Sequence, residues 1–388
     1  MYRSPDVVVR SLFVVLVLTA CTPASTPPEN IAVESAGAEA TATTAPPGLV
    51  TTTTMAATTA TEPGDQREPC VATLPDGSTE PVALVWQSGA ESAVYLTQLD
   101  GANGAVNVVS PLWWRMRSDG TMGGIADPAY VDAVHDRNVA VWPAVAGFDA
   151  DTHHLVFSDP DARSALAAQI SAGAREADAD GVNIDIEGYR AQDAAGFLSW
   201  VEELTGLVHE WGGLVSYDLI PRSDTWEVTP AELSFWSTAP LREELSAVTD
   251  CTVLMAYDQH NRFRPAGPVA SPPWVEDVLA HALGHTSPDR LVLGMPFYGL
   301  VWEPAELESP RAVGLDEIDR LSAEGTASPD RALGIERVDL ADGRFLWAET
   351  TDGLGHRFDL VAEHGLAGWA AWRFGFDHPG IWDLIGSR

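Results

Sequence analysis

The chain predicts an α/β protein folded as a closed (β/α)8 TIM barrel, with a small α+β insertion between its seventh and eighth strands. Three observations carry that expectation. From about residue 80, eight short apolar runs alternate with stretches whose apolar residues recur every three or four positions. The runs are continuously apolar, as in strands buried on both faces of a parallel sheet. Polar and aromatic residues gather at the C-terminal ends of several runs: Ser110, Glu187, Asp218, Tyr257, Asp258, Tyr298 and Trp372. That is the end at which a barrel assembles its reacting groups. The rival, a doubly wound open sheet, loses its commonest reason because no GxGxxG follows the first run.

Ahead of the barrel the sequence reads as a leader and a tether. Residues 1–20 hold the apolar run LFVVLVL, Leu12 to Leu18. It is too short to span a bilayer, which takes about 20 residues, and it fits the core of a signal peptide. LTAC, Leu18 to Cys21, resembles a bacterial lipobox, which implies a lipid on Cys21. Residues 21–66 are rich in Thr, Pro and Ala, with no aromatic residue and no apolar period. Such a segment cannot bury enough surface to order itself. The expected arrangement is an extracytoplasmic domain over residues 67–388, held to the cell membrane by a lipid.

Within that domain the strand candidates are PVALVW (81–86), VNVVS (106–110), VAVWPAV (139–145), GVNIDIE (181–187), LVSYDLI (214–220), CTVLMAY (251–257), LVLGMPFYG (291–299) and LAGWAAW (366–372). ARSALAAQISAGAREA (162–177) and AAGFLSWVEELTGLVHEW (194–211) are the clearest helices between them. The gap from the seventh run to the eighth is too long for one helix and two loops. Residues 303–350 therefore read as an insertion, with a helix at 315–325 and paired strands at 335–340 and 343–349 turning at Ala341-Asp342-Gly343.

The net charge of −34, with Arg as the sole long basic residue, argues against a nucleic-acid partner, which demands a basic footprint. Three cysteines occur. With Cys21 lipidated, Cys70 and Cys251 remain, either bonded in an oxidising compartment or separate thiols. His153, His154 and the later histidines read as surface residues. With neither a His cluster nor a calcium-loop spacing, no metal and no cofactor is expected. A monomer is expected.

The fourth run carries the chemistry. Side chains alternate along a strand, so Asn183, Asp185 and Glu187 share one face, and Val182, Ile184 and Ile186 the other. The apolar set must meet the helices, which turns the polar set into the barrel. Two carboxyls buried together ionise unequally, and the one that keeps its proton can act as a general acid near neutral pH. Asp180 begins the strand and suits a structural hydrogen bond. DGVNIDIE (180–187) resembles the DGxDxDxE signature of glycoside hydrolase family 18, the chitinase-like hydrolases, with Asn183 in place of the middle Asp. LMAYD (254–258), GMPFYG (294–299) and GLAGWAAWRFG (365–375) resemble the family's later strand motifs, and SPLWW (110–114) is similar to its cell-wall N-acetylglucosaminidase branch. The resemblance implies Glu187 as acid and base, Asp185 as orienter of the substrate's acetamido group and Tyr257 as its hydrogen-bond donor. It implies Trp372 as subsite floor and Trp113 or Trp114 as cleft lining, with Asn183, Asp258 and Tyr298 as further contacts. Asn183 is expected to donate a hydrogen bond to Asp185. The implied partner is a polysaccharide containing N-acetylglucosamine, peptidoglycan or chitin, cut by substrate-assisted retention; a silent glycan-binding module is the alternative.

Overall fold

The structure, a computed structural model, describes residues 68–223, 225, 241–307 and 309–388. The expected leader, Cys21 and the tether lie outside the described residues. Eight parallel strands form the barrel: β1 Val82–Gln87, β2 Val108–Met116, β3 in two pieces (Ala140–Val141 and Ala144–Gly147), β4 Gly181–Ile186, β5 Leu214–Leu219, β6 Cys251–Met255, β7 Leu291–Pro296 and β8 Gly368–Trp372. Each pairs with its neighbours in sequence, and β8 pairs with β1 to close the ring. All eight apolar runs are strands. β3 is broken at Pro143, which has no N–H for a ladder, yet its carbonyl accepts the Asn183 amide at 3.0 Å and keeps the wall continuous.

A helix follows every strand on the outside, among them Pro160–Glu176 after β3 and Ala194–His209 after β4. Part of the acidity is structural. Asp127, Asp149 and Asp159 cap helices that begin at Pro128, Ala150 and Pro160, each carboxylate accepting a first-turn amide. Asp180 accepts the Val141 amide at 2.7 Å and pairs with His135 at 2.9 Å, so it pins the start of β4 to β3 as a structural group.

The N-terminal end of the barrel is plugged. A short hairpin, Ala72–Thr73 with Thr79–Glu80, lies there, and Cys70, Ala72 and Leu74 are buried with Val82 and Leu84 in one apolar cluster. Cys70 is bonded to Cys251, the first residue of β6, with the Cα atoms 5.2 Å apart. The two thiols left open by the sequence are therefore joined.

The insertion is larger than expected. It is a five-stranded antiparallel sheet in the order Arg311–Gly314, Tyr298–Trp302, Phe345–Ala348, Ile335–Asp339, Thr326–Asp330, with the helix Leu315–Glu324 against it. It starts at Tyr298 rather than 303, because only Phe297 separates β7 from the next apolar strand. Thr326–Asp330 escaped notice because it is exposed and carries a proline, and so has no apolar period.

Candidate active site

In a parallel ladder, residues in register face the same way, so the facing of Asn183 propagates around the ring. Asn183 is in register with Ala144 on β3 and Ser216 on β5, and Asp185 with Ala146. On the far side Trp86 of β1 aligns with Ser110 of β2. These residues fill the lumen, while Val182, Ile184 and Ile186 are completely buried under the helices.

Asn183 is the hub of the floor. Its Oδ1 accepts from Trp86 Nε1 at 3.0 Å and Ser110 Oγ at 3.3 Å, and its Nδ2 donates to Ser216 Oγ at 2.9 Å and Asp218 Oδ1 at 2.8 Å. Both its donors are committed. The expectation that Asn183 supports Asp185 is therefore corrected: the register of β5 brings Ser216 and Asp218 to the amide instead.

Asp185 and Glu187 are both buried, 7% and 8% exposed, and hydrogen-bonded to each other. Burial raises the Asp185 carboxyl to about 6, against the lowering effects of the Glu187 hydrogen bond and the Arg115 charge. Burial also pushes Glu187 well above the usual range, and the negative charges of Asp185, Asp258 and Asp218 push it further. One proton thus stays on Glu187 at neutral pH while Asp185 is the first of the pair to ionise. Apart from the Glu187 carboxyl, no side chain or backbone donor reaches Asp185 Oδ1, which leaves acceptor capacity where a donor from a bound molecule would fit.

The remaining wall comes from β6, β8 and the insertion. After Met255 the chain turns sharply, with the Tyr257 amide on the Met255 carbonyl at 2.8 Å and Asp258 at φ 62°. Tyr298 donates its hydroxyl to Asp258 Oδ1. The Tyr257 ring meets Trp86 edge-on at 6.4 Å and Tyr298 at 6.2 Å, and Trp372 lies 6.0 Å from Trp86. Burial raises the Tyr257 phenol far above its ordinary value, so it stays a neutral donor. Asp185, Glu187, Asn183, Tyr257, Asp258, Tyr298 and Trp372 are thus brought together.

The tryptophan pair on β2 is not. Trp114 is in register with Val145, which faces outward, and it packs on the helix Pro160–Glu176, where a Cβ at Gly173 would touch its ring at 3.1 Å. Trp113 is half-buried and leans on Trp114 and Tyr130, ring centroids 5.8 and 6.5 Å away. The cause is a register shift between Leu112 and Trp114, a bulge that swaps the faces and turns Arg115 inward instead. Sequence reading also misplaced His153. It is fully buried, and burial lowers its pKa to about 4 against the opposing effects of the Asp149 charge and the Gly188 backbone. A Cβ on Gly147 would sit 2.4 Å from its Nε2. Trp86, Ser216 and Arg115 were missed as site residues, and Asp218 was seen only as a strand-end polar group.

The family description "Glycosyl hydrolases family 18" matches residues 128–377, which hold both carboxylates and the Tyr257, Tyr298 and Trp372 strands. The chain belongs to glycosyl hydrolase family 18. It is a glycosidase by that membership. Among curated relatives, "Uncharacterized glycosylase YvbX" of Bacillus subtilis (strain 168) is 18% identical over 298 residues, covering 72% of this chain and 84% of that protein. The "Cortical fragment-lytic enzyme" of the same organism is 23% identical over 251 residues, 62% of this chain and 57% of that enzyme. Among solved structures, a chitinase from Chromobacterium violaceum superposes with a TM-score of 0.69 at 22% identity, covering 79% of this chain and 98% of its own. The spore cortex-lytic enzyme SleL of Bacillus megaterium gives 0.66 at 19% identity, over 79% and 72%. At these identities the structures speak for the barrel alone. The chemistry of this family 18 site rests on its own geometry: a protonated carboxyl beside one that ionises first, under an aromatic wall.

Proposed function

We propose that the protein is an extracytoplasmic glycosidase, held to the membrane by a lipid on Cys21, that cleaves β-1,4 bonds next to N-acetylglucosamine, with peptidoglycan as its main polymer and chitin fragments as the alternative. The observation that carries the reading is the buried Asp185–Glu187 pair, in which Glu187 keeps its proton and Asp185 has acceptor capacity to spare. Glu187 protonates the glycosidic oxygen. The acetamido oxygen of the substrate attacks the anomeric carbon as the bond to the leaving sugar breaks, giving an oxazolinium intermediate. Ionised Asp185 accepts the acetamido N–H and balances the positive charge, and Tyr257 donates to the acetamido oxygen. Glu187, now a carboxylate, takes a proton from the water that opens the ring, so the anomeric configuration is retained. Trp372 offers its face to the apolar side of the sugar. The cortex-lytic and chitinase names among the relatives support this substrate class.

The test is mass analysis of the products that the purified protein releases from peptidoglycan and from chitooligosaccharides, beside Glu187→Gln. New reducing-end N-acetylglucosamine from the wild type, and at least about 1,000-fold less from the variant, is expected for loss of a general acid. Equal release by the two proteins on both polymers would remove the assignment.

A further inference from the structure

The bulge in β2 gives the mouth its one inward-turned cation among the described barrel strands. Arg115 is in register with Ala146, and Ala146 with Asp185. It therefore stands on the lumen side. It also pairs with Gly123 in the hairpin that extends β2 beyond the ring. Two residues after Ala146, on the same face, comes Phe148. The Glu187 amide bonds the Gly147 carbonyl at 2.8 Å, which sets Phe148 level with Glu187. Phe148 is 40% exposed, and the Arg115 guanidinium lies 5.6 Å from its ring centroid.

Arg115 is exposed and makes no ion pair or hydrogen bond among the described residues, in a chain with 56 acidic side chains. Its charge reaches Asp185, but no carboxylate closes on it. A guanidinium braced over an aromatic ring keeps its planar fork free for a carboxylate of the incoming molecule. Phe148 at the same level offers an apolar face to a sugar ring.

We propose that Arg115 and Phe148 form a subsite for an acidic sugar, a hexose carrying a carboxylate on its ring substituent, placed next to the N-acetylglucosamine at the reacting centre. This rests on the glycosidase reading above and sharpens it. Chitin offers no such group, whereas a glycan alternating N-acetylglucosamine with a lactyl-ether sugar does, either as the free lactyl carboxylate or on the peptide attached to it.

The experiment measures binding with the full-length protein in the Glu187→Gln background, so that it does not depend on turnover. Three probes are used: chitooligosaccharides, which are neutral; peptidoglycan strands stripped of peptide by an amidase, which carry the lactyl carboxylate; and soluble strands that keep their peptides. Adding Arg115→Met is expected to lower the ratio of acidic to neutral affinity about 10- to 100-fold, the worth of a charge-assisted hydrogen bond to an exposed-to-bound carboxylate. Arg115→Lys restores part of the ratio. Salt weakens the acidic arm selectively. If the loss falls on the stripped strands, the lactyl carboxylate is the ligand; if only on the peptide-bearing ones, the peptide is. An unchanged ratio, with equal weakening on all three probes, overturns the proposal and leaves Arg115 as a charge partner of Asp185 alone. Failure of the wild type to cleave any polymer would sink the glycosidase reading separately, since the affinity ratio would still decide this one.

Discussion

Asp185→Asn is expected to stabilise the protein while disabling it. Asp185 is raised by burial from 3.8 to about 6. A rise of roughly two pH units, at about 1.4 kcal/mol each, means that ionising Asp185 at neutral pH costs the fold about 3 kcal/mol. The sign follows from the direction. With the folded value above the unfolded one, the stability linked to this group is fully present below pH 3.8 and is lost as pH rises through 6. An asparagine does not titrate, so the stability difference between variant and wild type should grow with pH: smallest near pH 4, where a little of the loss is already in place, largest by pH 8, and on the order of 2–3 kcal/mol between those limits. For the roughly 300 described residues, unfolding entropy of about 2.1 cal/mol/K per residue converts that to about 3–5 °C in Tm. Urea titrations at pH 4, 6 and 8 measure it directly, and polymer cleavage should fall on the order of 100-fold in the same variant. A difference that is flat across pH, or that favours the wild type more as pH rises, would refute the claim that Asp185 is held against its own ionisation.

The same pair shapes activity. The kcat/KM profile should climb through an apparent pKa near 6 as Asp185 ionises and fall only where Glu187 loses its more tightly held proton; an optimum below pH 5 would contradict this. Asn183→Asp places a second carboxylate where the amide now sits 2.8 Å from Asp218, so turnover should drop about tenfold or more, and the swap Asn183→Asp with Asp218→Asn should recover most of it, read by initial rates of the single and double variants. Cys70→Ser with Cys251→Ser opens a closure of 181 residues, worth about 5 kcal/mol in the chain-entropy account, and should lower Tm by roughly 7 °C in a melting scan.

Sequence patterning located all eight strands because each is a compact apolar run, and it put Asp185 and Glu187 inward because alternation on β4 leaves no other way to hide Val182, Ile184 and Ile186. What it missed depends on relations between strands. Nothing local in PVALVW says that Trp86 reaches across the lumen to an amide 97 positions later; that follows from closure of β1 on both β2 and β8. Counting by twos from Ser110 puts Leu112 and Trp114 inward, and one bulge reverses the count, hiding Trp114 and delivering Arg115. His153 looked exposed because two adjacent histidines read as polar, but the helix Ala150–Phe157 turns one of them under the rim beside Gly147 while the other stays half-exposed and pairs with Asp193 at 2.7 Å.

The two ends of the barrel carry opposite loads. At the mouth, Asp185, Glu187 and Asp218 are buried and Asp258 is half-buried, and all four are raised above their ordinary values, desolvation being the leading cause for each. Every one that ionises weakens the fold, because desolvation is not offset by a buried cation. The amide at Asn183 moderates this: a carboxyl there would add a fifth acid, whereas the amide donates to Asp218 and lowers it. Compensation is concentrated at the opposite end, in the hairpin plug and the Cys70–Cys251 bond. That separation has a functional logic. A crosslink near the rim would fix the loops that must admit a polymer, while one at the base constrains the unfolded chain and leaves the mouth free to hold a protonated glutamate beside an ionisable aspartate. Loss of the base crosslink should therefore lower stability at every pH alike, while loss of the Asp185 carboxyl changes stability only as pH rises, and the two effects should add in the combined variant because the sites share no contact.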